Sequence, residues 1–414
     1  MALYKPSTKF MNILLIFVGS LLIMVGLYRL ISLLPYVSDP NADYYTYYHS
    51  AELIIAGKSI YSWHNMQSPT TCLIFVPFAL LPLRVSALLW TVFTIICYFW
   101  MGIIILRAYK ISLSVPWGIL LFGLALSWYP FLIHISVGQL NIPISLLIIL
   151  AWAWLRKKQD LGAGFLLGIA CFIKLFPGIF LVYLLLRRKW KALICMIITI
   201  LGGFILTGLI TGFKEIFYFF SKVVTQDSSI WIAYPFNLSL GSTIQILFLG
   251  SSQVIPIIHS KLIATILLFL IDFGLLVLLI CQIIKLPVNP LGDDLAYNTV
   301  IIVMLLLSPI TWQHIYPILL IILVLLFVLF LQAKTVLYLR LLVLSFLFLS
   351  FPSHEILPFL NQLVGSDILP WYVVIILQIP IIGVLLLWIS ICVVEKYKFG
   401  FHQVQKNNLA NNNA

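Results

Sequence analysis

Between Met11 and Leu34 the sequence carries a single charged residue, Arg29, in a run that is otherwise mostly apolar. A helix needs roughly 20 such residues to cross a bilayer, and runs of this kind recur along most of the chain. A chain built this way has lipid as its solvent. In lipid only helices and closed barrels satisfy every backbone polar group. The composition agrees: 63% of the 414 residues are hydrophobic and 9% charged, against about 45–50% and about 25% in soluble domains. The expected fold class is an all-α polytopic integral membrane protein, with one transmembrane domain over residues 1–400 and a polar, low-complexity tail at 401–414 expected to be disordered. Met11–Leu34 is too long for the apolar core of a cleavable signal peptide and reads as the first anchor.

Full spans are expected near 11–34, 85–106, 115–133, 141–155, 190–212, 262–284, 296–308, 315–332, 336–351 and 371–394. The stretch 161–187 is apolar but basic at both ends, Arg156-Lys157-Lys158 before it and Arg187-Arg188-Lys189 after it. One crossing would expose one of those clusters outside. It therefore reads as a hairpin of two short helices broken near Lys174-Leu175-Phe176-Pro177, with Gly162, Gly164 and Gly168 allowing close packing. The stretch 70–83 is short, holds two prolines, and reads as membrane-skimming or re-entrant. With both termini cytoplasmic, 17 of the 24 Lys and Arg fall on the inner side. That asymmetry fixes the expected orientation. It also explains the formal charge of +12 without a nucleic-acid partner. The six cysteines are scattered singly, so neither a disulfide framework nor a zinc site is supported.

In this orientation the two sizeable loops, 35–69 and 213–260, face outward, and so should any active site. The inner loops offer no Gly-rich phosphate loop and no metal-binding DxD. The first outer loop presents Asp43 ahead of Tyr44, Tyr45, Tyr47 and Tyr48. A carboxylate there suits a base working at the lipid interface, with tyrosines to stack on sugar faces. The structural alternative makes Asp43 the N-cap of a helix over 44–56 and the tyrosines an interfacial belt. Lys174 lies deep in apolar sequence, where an ammonium costs at least about 2.5–3.5 kcal/mol, so it faces a phosphate, a salt-bridge partner or the interface. Arg29 is expected to snorkel to the interface, and Asp272 to hydrogen-bond to a neighbouring helix or stay neutral. Two outward turns, His134–Asn141 and Ser308–His314, supply Gln, Asn and His donors that can cradle a phosphate or hydroxyls, or cap helices. Ser353-His354-Glu355 lacks a nucleophile elbow, and His134, His314 and His354 lack metal-site spacing.

These residues carry a resemblance. Asp43-x3-Tyr47-x3-Ala51-x5-Gly57-x3-Tyr61, Pro69 leading to Pro77-Phe78-Ala79-Leu80-Leu81-Pro82 and Trp90, and Gly138-Gln139-Leu140-Asn141 come first. Gly164-x3-Gly168, Ile173-Lys174-Leu175-Phe176-Pro177, Leu186–Ala192, Asn237-Leu238-Ser239 and Ser308–His314 follow in order. Over most of residues 10–320 the chain thereby resembles glycosyltransferase family 87, the polyprenyl-phosphate-dependent mannosyl- and arabinofuranosyltransferases once grouped as domain of unknown function 2029. It departs from the family at Gln67-Ser68-Pro69, where Tyr-Pro-Pro is usual.

The resemblance implies a GT-C fold and a sugar, mannose first, moved from a polyprenyl-phosphate donor to a cell-envelope glycolipid or polysaccharide. The expected setting is the outer face of a bacterial plasma membrane, and no cofactor or metal is required. It places the catalytic acid on Asp43, as general base of an inverting displacement, with Asp39 the competitor. Lys174, Gln139, Asn141 and His314, with Tyr47 and more weakly Arg84, are the expected substrate-binding residues. The rival readings are a transporter or lipid-linked sugar flippase, and a non-catalytic assembly subunit. A transporter would show repeated halves with paired broken helices, whereas the sequence shows one break, at 174–177.

Overall fold

The computed structural model describes residues 9–63, 65–226, 230–333 and 336–396; the tail 401–414 lies outside the described residues. Helices make up 78% of the chain. In order they are α1 (Lys9–Val37), α2 (Asp43–Ile55), α3 (Pro69–Ile74), α4 (Val76–Ala79), α5 (Leu83–Ala108), α6 (Val115–Ser127), α7 (Tyr129–Val137), α8 (Asn141–Arg156), α9 (Asp160–Ile173) and α10 (Phe180–Leu186). Then come α11 (Trp190–Thr211), α12 (Phe213–Tyr218), α13 (Leu240–Phe248), the strand β1 (Val254–Ile255), α14 (Lys261–Lys285) and α15 (Pro290–Leu307). The chain closes with α16 (Leu320–Ala333), α17 (Val336–Leu349), α18 (Ser353–Val364), the strand β2 (Leu369–Pro370), α19 (Trp371–Leu377) and α20 (Ile379–Glu395).

Among the described residues six helices are long and apolar enough to cross a membrane, or nine if each bent pair counts as one span, against the ten expected. The protein is an all-α, multi-pass membrane protein. Two stretches expected as single spans are bent, α6 to α7 by 45° and α19 to α20 by 54°, and α17 turns by 57° into α18, beyond the expected span 336–351. Each bend has a proline beside it, Pro130, Pro352 and Pro380. A proline removes a donor and clashes with the preceding turn. The break at 174–177 appears too: α9 ends at Ile173, Lys174 is extended, and a 3-10 turn at Phe176–Ile179 leads into α10. Residues 70–83 fold as the short helices α3 and α4.

The segments over Pro290–Leu307 and Gln313–Gln332 are 78% buried within the protein, whereas α1, α11 and α14 are 11–17% buried. The former make the centre and the latter the lipid-facing rim. Tyr297 ties the centre to α8 by donating to the Ile148 carbonyl at 2.8 Å. The hairpin packs through small residues: a Cβ on Gly164 would lie 2.2 Å from the Ala192 carbonyl oxygen of α11, and one on Gly168 would lie 2.5 Å from Thr199.

The connections 107–110, 156–158 and 187–191 meet at one end of the bundle. Arg156 pairs with Asp294 and reaches the Ala108 carbonyl at 3.4 Å. Trp152 Nε1 and Tyr109 Oη donate to the same carboxylate at 2.9 and 3.2 Å. Arg187 donates to the carbonyls of Leu286 and Gly292 at 3.0 and 3.1 Å. Lys110, Lys158 and Arg188 each take a left-handed backbone at φ of 54–60° or 53° to end the preceding helix, a position that favours glycine. Basic side chains thus occupy all three tight turns.

At the opposite end, 230–255 and 353–377 form a second small apolar core around Phe236, Ile246, Leu360 and Val374. The parallel pairing of Val254 with Leu369 and of Ile255 with Pro370 joins its halves. Arg29 pairs with Glu355 of α18, a partner beyond the bend after α17. Asp272 lies on the exposed face of α14 and makes no helix-to-helix hydrogen bond to a described residue, which leaves the neutral acid of the two alternatives expected for it. The 353–355 side chains point to separate partners: Ser353 donates to the Leu377 carbonyl at 2.9 Å, and His354 stacks on Phe236 at 3.7 Å.

Asp294 is 2% exposed and holds three donors from α5–α8. Asp294→Ala strands the Arg156 guanidinium and is expected to destabilise the protein by about 3 kcal/mol. Thermal unfolding of the detergent-solubilised variant measures it, and an unchanged midpoint refutes the clamp.

Candidate active site

The turn before α2 sets the first functional side chain. Asp39 Oδ1 accepts from the Asn41 backbone N–H at 2.7 Å, and the Ala42 N–H donates to the Asp39 carbonyl at 2.9 Å. That turn makes Ala42 the N-cap residue, without a side-chain cap, and Asp43 the first residue of the helix. The capping reading of Asp43 is therefore corrected, and its carboxylate is left for other partners. Asp39 is occupied by its own turn, so the competitor lies outside the cluster that follows.

Tyr47 lies one turn beyond Asp43, on the same face of α2. The end of α7 comes up against this face through Gly138, whose φ of 66° closes the helix. A Cβ there would sit 2.6 Å from Tyr44 Cβ, so only glycine allows the approach. Trp90 Nε1 holds the turn by donating to the Gly138 carbonyl at 3.0 Å.

The next residue, Gln139, is the junction. Its Nε2 donates to Asp43 Oδ2 at 2.6 Å. Its Oε1 accepts from Tyr47 Oη at 2.6 Å and from Lys174 Nζ at 3.0 Å. Asp43, Tyr47, Gln139 and Lys174 thus form one network spanning three elements. Lys174 reaches it because the helical hairpin breaks there. The break is pinned at the Ile173 carbonyl, which accepts from Thr71 Oγ1 at 2.7 Å and Ser68 Oγ at 3.1 Å. Ser68 also caps α3 through the Thr71 N–H at 3.1 Å, with Pro69 opening the helix. The Gln67-Ser68-Pro69 departure therefore has a local job, holding the backbone beside Lys174. Sequence reasoning missed Ser68 and Thr71, although Ser followed by Pro is a helix-start signal.

Burial raises the Asp43 carboxyl above its ordinary value of 3.8, and the Gln139 hydrogen bond and the Lys174 charge pull it partly back. A carboxylate so placed is a stronger base than one in water while staying close to a cation.

The other expected residues divide. His314 is near: its carbonyl accepts from His134 Nδ1 at 2.9 Å, the two rings lie 6.2 Å apart, and the ring faces Trp312. His134, at the head of the turn expected to supply donors, is fully buried, and its Nε2 has no hydrogen-bond partner among the described residues. Asn141 is 1% exposed, and neither its amide nitrogen nor its oxygen has a partner among the described residues. A buried amide with both ends unpaired is a group that a bound ligand could satisfy. Arg84 is exposed at the start of α5 and makes no ion pair or hydrogen bond to a described residue. Asn237, by contrast, is structural: its amide bonds the carbonyls of Trp231, Ile232 and Pro309 and accepts from the Thr311 N–H at 2.9 Å. Among the described residues no three His, Cys, Asp or Glu side chains converge as a metal site.

A carboxylate held beside an ammonium by neutral hydrogen-bonding groups can remove a proton from a hydroxyl while a nearby anion is stabilised. Comparison with known proteins bears on which reaction uses it. Searches of curated proteins and of solved structures return no match. The model of glycosyltransferase family 87 matches residues 66–309, a narrower stretch than the ordered motifs suggest. It takes in Arg84, Gln139, Asn141 and Lys174, and leaves Asp43, Tyr47 and His314 outside. Since that segment is more than half of the 414 residues, the chain belongs to glycosyltransferase family 87.

Proposed function

We propose that this membrane glycosyltransferase is an inverting enzyme of the GT-C type that moves a hexose or pentose, mannose first, from a polyprenyl-phosphate donor to a cell-envelope glycolipid or polysaccharide. The transfer takes place on the extracytoplasmic face of a bacterial plasma membrane. The observation that carries the reading is the Asp43–Gln139–Lys174 network, a base and a cation joined through one amide.

In this reading Asp43 takes the proton of an acceptor hydroxyl. The oxygen bonds to the anomeric carbon as the bond from that carbon to the phosphate oxygen breaks. Polyprenyl phosphate leaves with the electron pair, and configuration at the carbon inverts. Lys174 meets the charge that grows on the phosphate, and Asn141 and His314 supply neutral donors around it. Tyr47 fixes the Gln139 amide so that its N–H side faces Asp43. Arg84 has no part in this scheme. A transporter would be favoured by the three proline-flanked bends, but family membership and a base paired with a cation support transfer. Outward placement is supported by the basic turns gathering at the other end of the bundle.

Asp43→Asn keeps the oxygen that accepts from Gln139 and leaves the helix start untouched. Turnover is expected to fall by roughly 10²–10⁴-fold with donor binding and melting temperature unchanged. Transfer of radiolabelled mannose from polyprenyl-phosphate mannose to envelope acceptors reads it, and near wild-type turnover would move the role to Asp39.

The acid limb of kcat/KM should lie above 3.8, because the base must be ionised and burial raises it. Lys174 pulls the Asp43 carboxyl down, so Lys174→Gln should shift that limb to higher pH as well as weaken donor binding. A limb that stays in place shows that the two groups are not coupled.

Reporter fusions at residues 110 and 230 and at the C-terminus test the sidedness. Cytoplasmic signal from 110 and from the C-terminus, with extracytoplasmic signal from 230, is expected, and the reverse pattern refutes it.

A further inference from the structure

Between residues 61–66 and the side chains of Tyr218, Gln226 and Ile230 lies a cavity of about 570 Å³ that the transfer scheme leaves unused. Tyr61, Ser62, Trp63, Asn65, Tyr218 and Gln226 are among the residues that line it. Its size falls in the range of small-ligand sites, roughly 300–1,000 Å³. The rings of Tyr61 and Tyr218 stack at 4.7 Å and 28°, so two aromatic edges meet in one wall. Trp63 Nε1 is buried with no partner among the described residues, a donor without an acceptor. Asn65 is 5% exposed and is fixed by accepting from the Gln67 N–H at 2.8 Å and donating to Cys72 Sγ at 3.6 Å. Among the described lining residues none is a lysine, an arginine or a carboxylate.

The cavity is also built into the machinery around it. Trp63 packs edge-on against His49 at 4.6 Å and against Tyr45 at 6.2 Å, both on the helix that begins with Asp43. Cys72, the partner of Asn65, lies in α3, whose first turn pins the backbone next to Lys174. The same two helices therefore contact residues that line the cavity, while α2 carries Asp43 and α3 holds the backbone beside Lys174.

Aromatic rings, an amide, a hydroxyl and an indole N–H without formal charge fit a neutral sugar. They do not fit a phosphate, which wants cations, or a lipid tail, which wants an unbroken apolar wall. We propose that this cavity is the acceptor subsite, taking a neutral pyranose of the acceptor glycan against the Tyr61, Trp63 and Tyr218 rings with Trp63 Nε1 donating to one of its oxygens. The assignment rests on the transferase reading for the word acceptor, but sugar binding itself does not depend on turnover.

The probe is the mixture of delipidated glycans released from the source cell's own envelope, with retention measured on immobilised full-length protein. Wild type and Asp43→Asn should retain glycan equally. Tyr218→Ala should weaken retention by about five- to tenfold, the worth of one aromatic contact. Tyr218→Phe, which keeps the ring, should restore it. In the transfer assay Tyr218→Ala should raise the acceptor KM by the same factor with donor binding unchanged. No retention by wild type, or equal retention by Tyr218→Ala in a protein of unchanged melting temperature, overturns the subsite. Retention that depends on Tyr218 in a protein that transfers no sugar keeps the subsite and sinks the transferase scheme instead.

Discussion

Hydrocarbon offers no hydrogen bonds, and that one property sorts this chain. Backbone polar groups are consumed within helices, so the charged and amide side chains that remain must gather at the ends or find one another inside. At one end Arg156 and Arg187 are tied to Asp294 and to carbonyls of the α14–α15 connection. At the other, Asn237 ties its loop to Pro309 and Thr311, and Gln313 reaches the Leu349 carbonyl at the end of α17. The largely buried segments Pro290–Leu307 and Gln313–Gln332 connect the two ends. A chemical site can stand at one end because the other is clamped.

The site itself is made from interruptions. Gly138 stops α7, Lys174 stops α9, and Ser68 with Pro69 starts α3. Each leaves backbone or side-chain groups unused by regular structure, and the three meet around the first residue of α2. Continuous helices would have buried the same side chains against lipid or against each other. The family match covers two of the three side-chain contributors to the Asp43 environment, Gln139 and Lys174, while the carboxylate lies upstream of it.

Much of this was legible in the residues, and the reasons for the failures differ. Lys174 before Pro177 in an apolar run is costly enough to force a break, and the break is there. Asp43, Gln139 and Lys174 could be singled out because charge and amide stand out against Leu and Ile. Their meeting could not be read, since 96 positions separate Gln139 from Asp43 in the sequence. The partner of Arg29 was out of reach for the same reason: Glu355 is 326 positions away. The bends near Trp128 and Gln378 were missed because hydropathy reports how apolar a segment is, not its direction. The direction of Arg84 could not be read either, because a cation at a helix start says nothing about which way it faces. Asp43 as an N-cap was a fair reading of local preference, overridden by the turn that Asp39 makes just before it.

Gln139 has a consequence for traffic through the site. An amide side chain transmits orientation and electrostatic influence, but it cannot accept a proton on one side and release it on the other as an imidazole or a carboxyl can. Asp43 and Lys174 are therefore electrically coupled and protonically insulated, although one side chain touches both. In the proposed transfer, a proton taken up by Asp43 would have no internal wire to follow. It would leave by the carboxylate's other oxygen, Oδ1, which bonds no described residue, and so by the half-open face of the loop. The site would then reset by exchange with its surroundings and not through its cation.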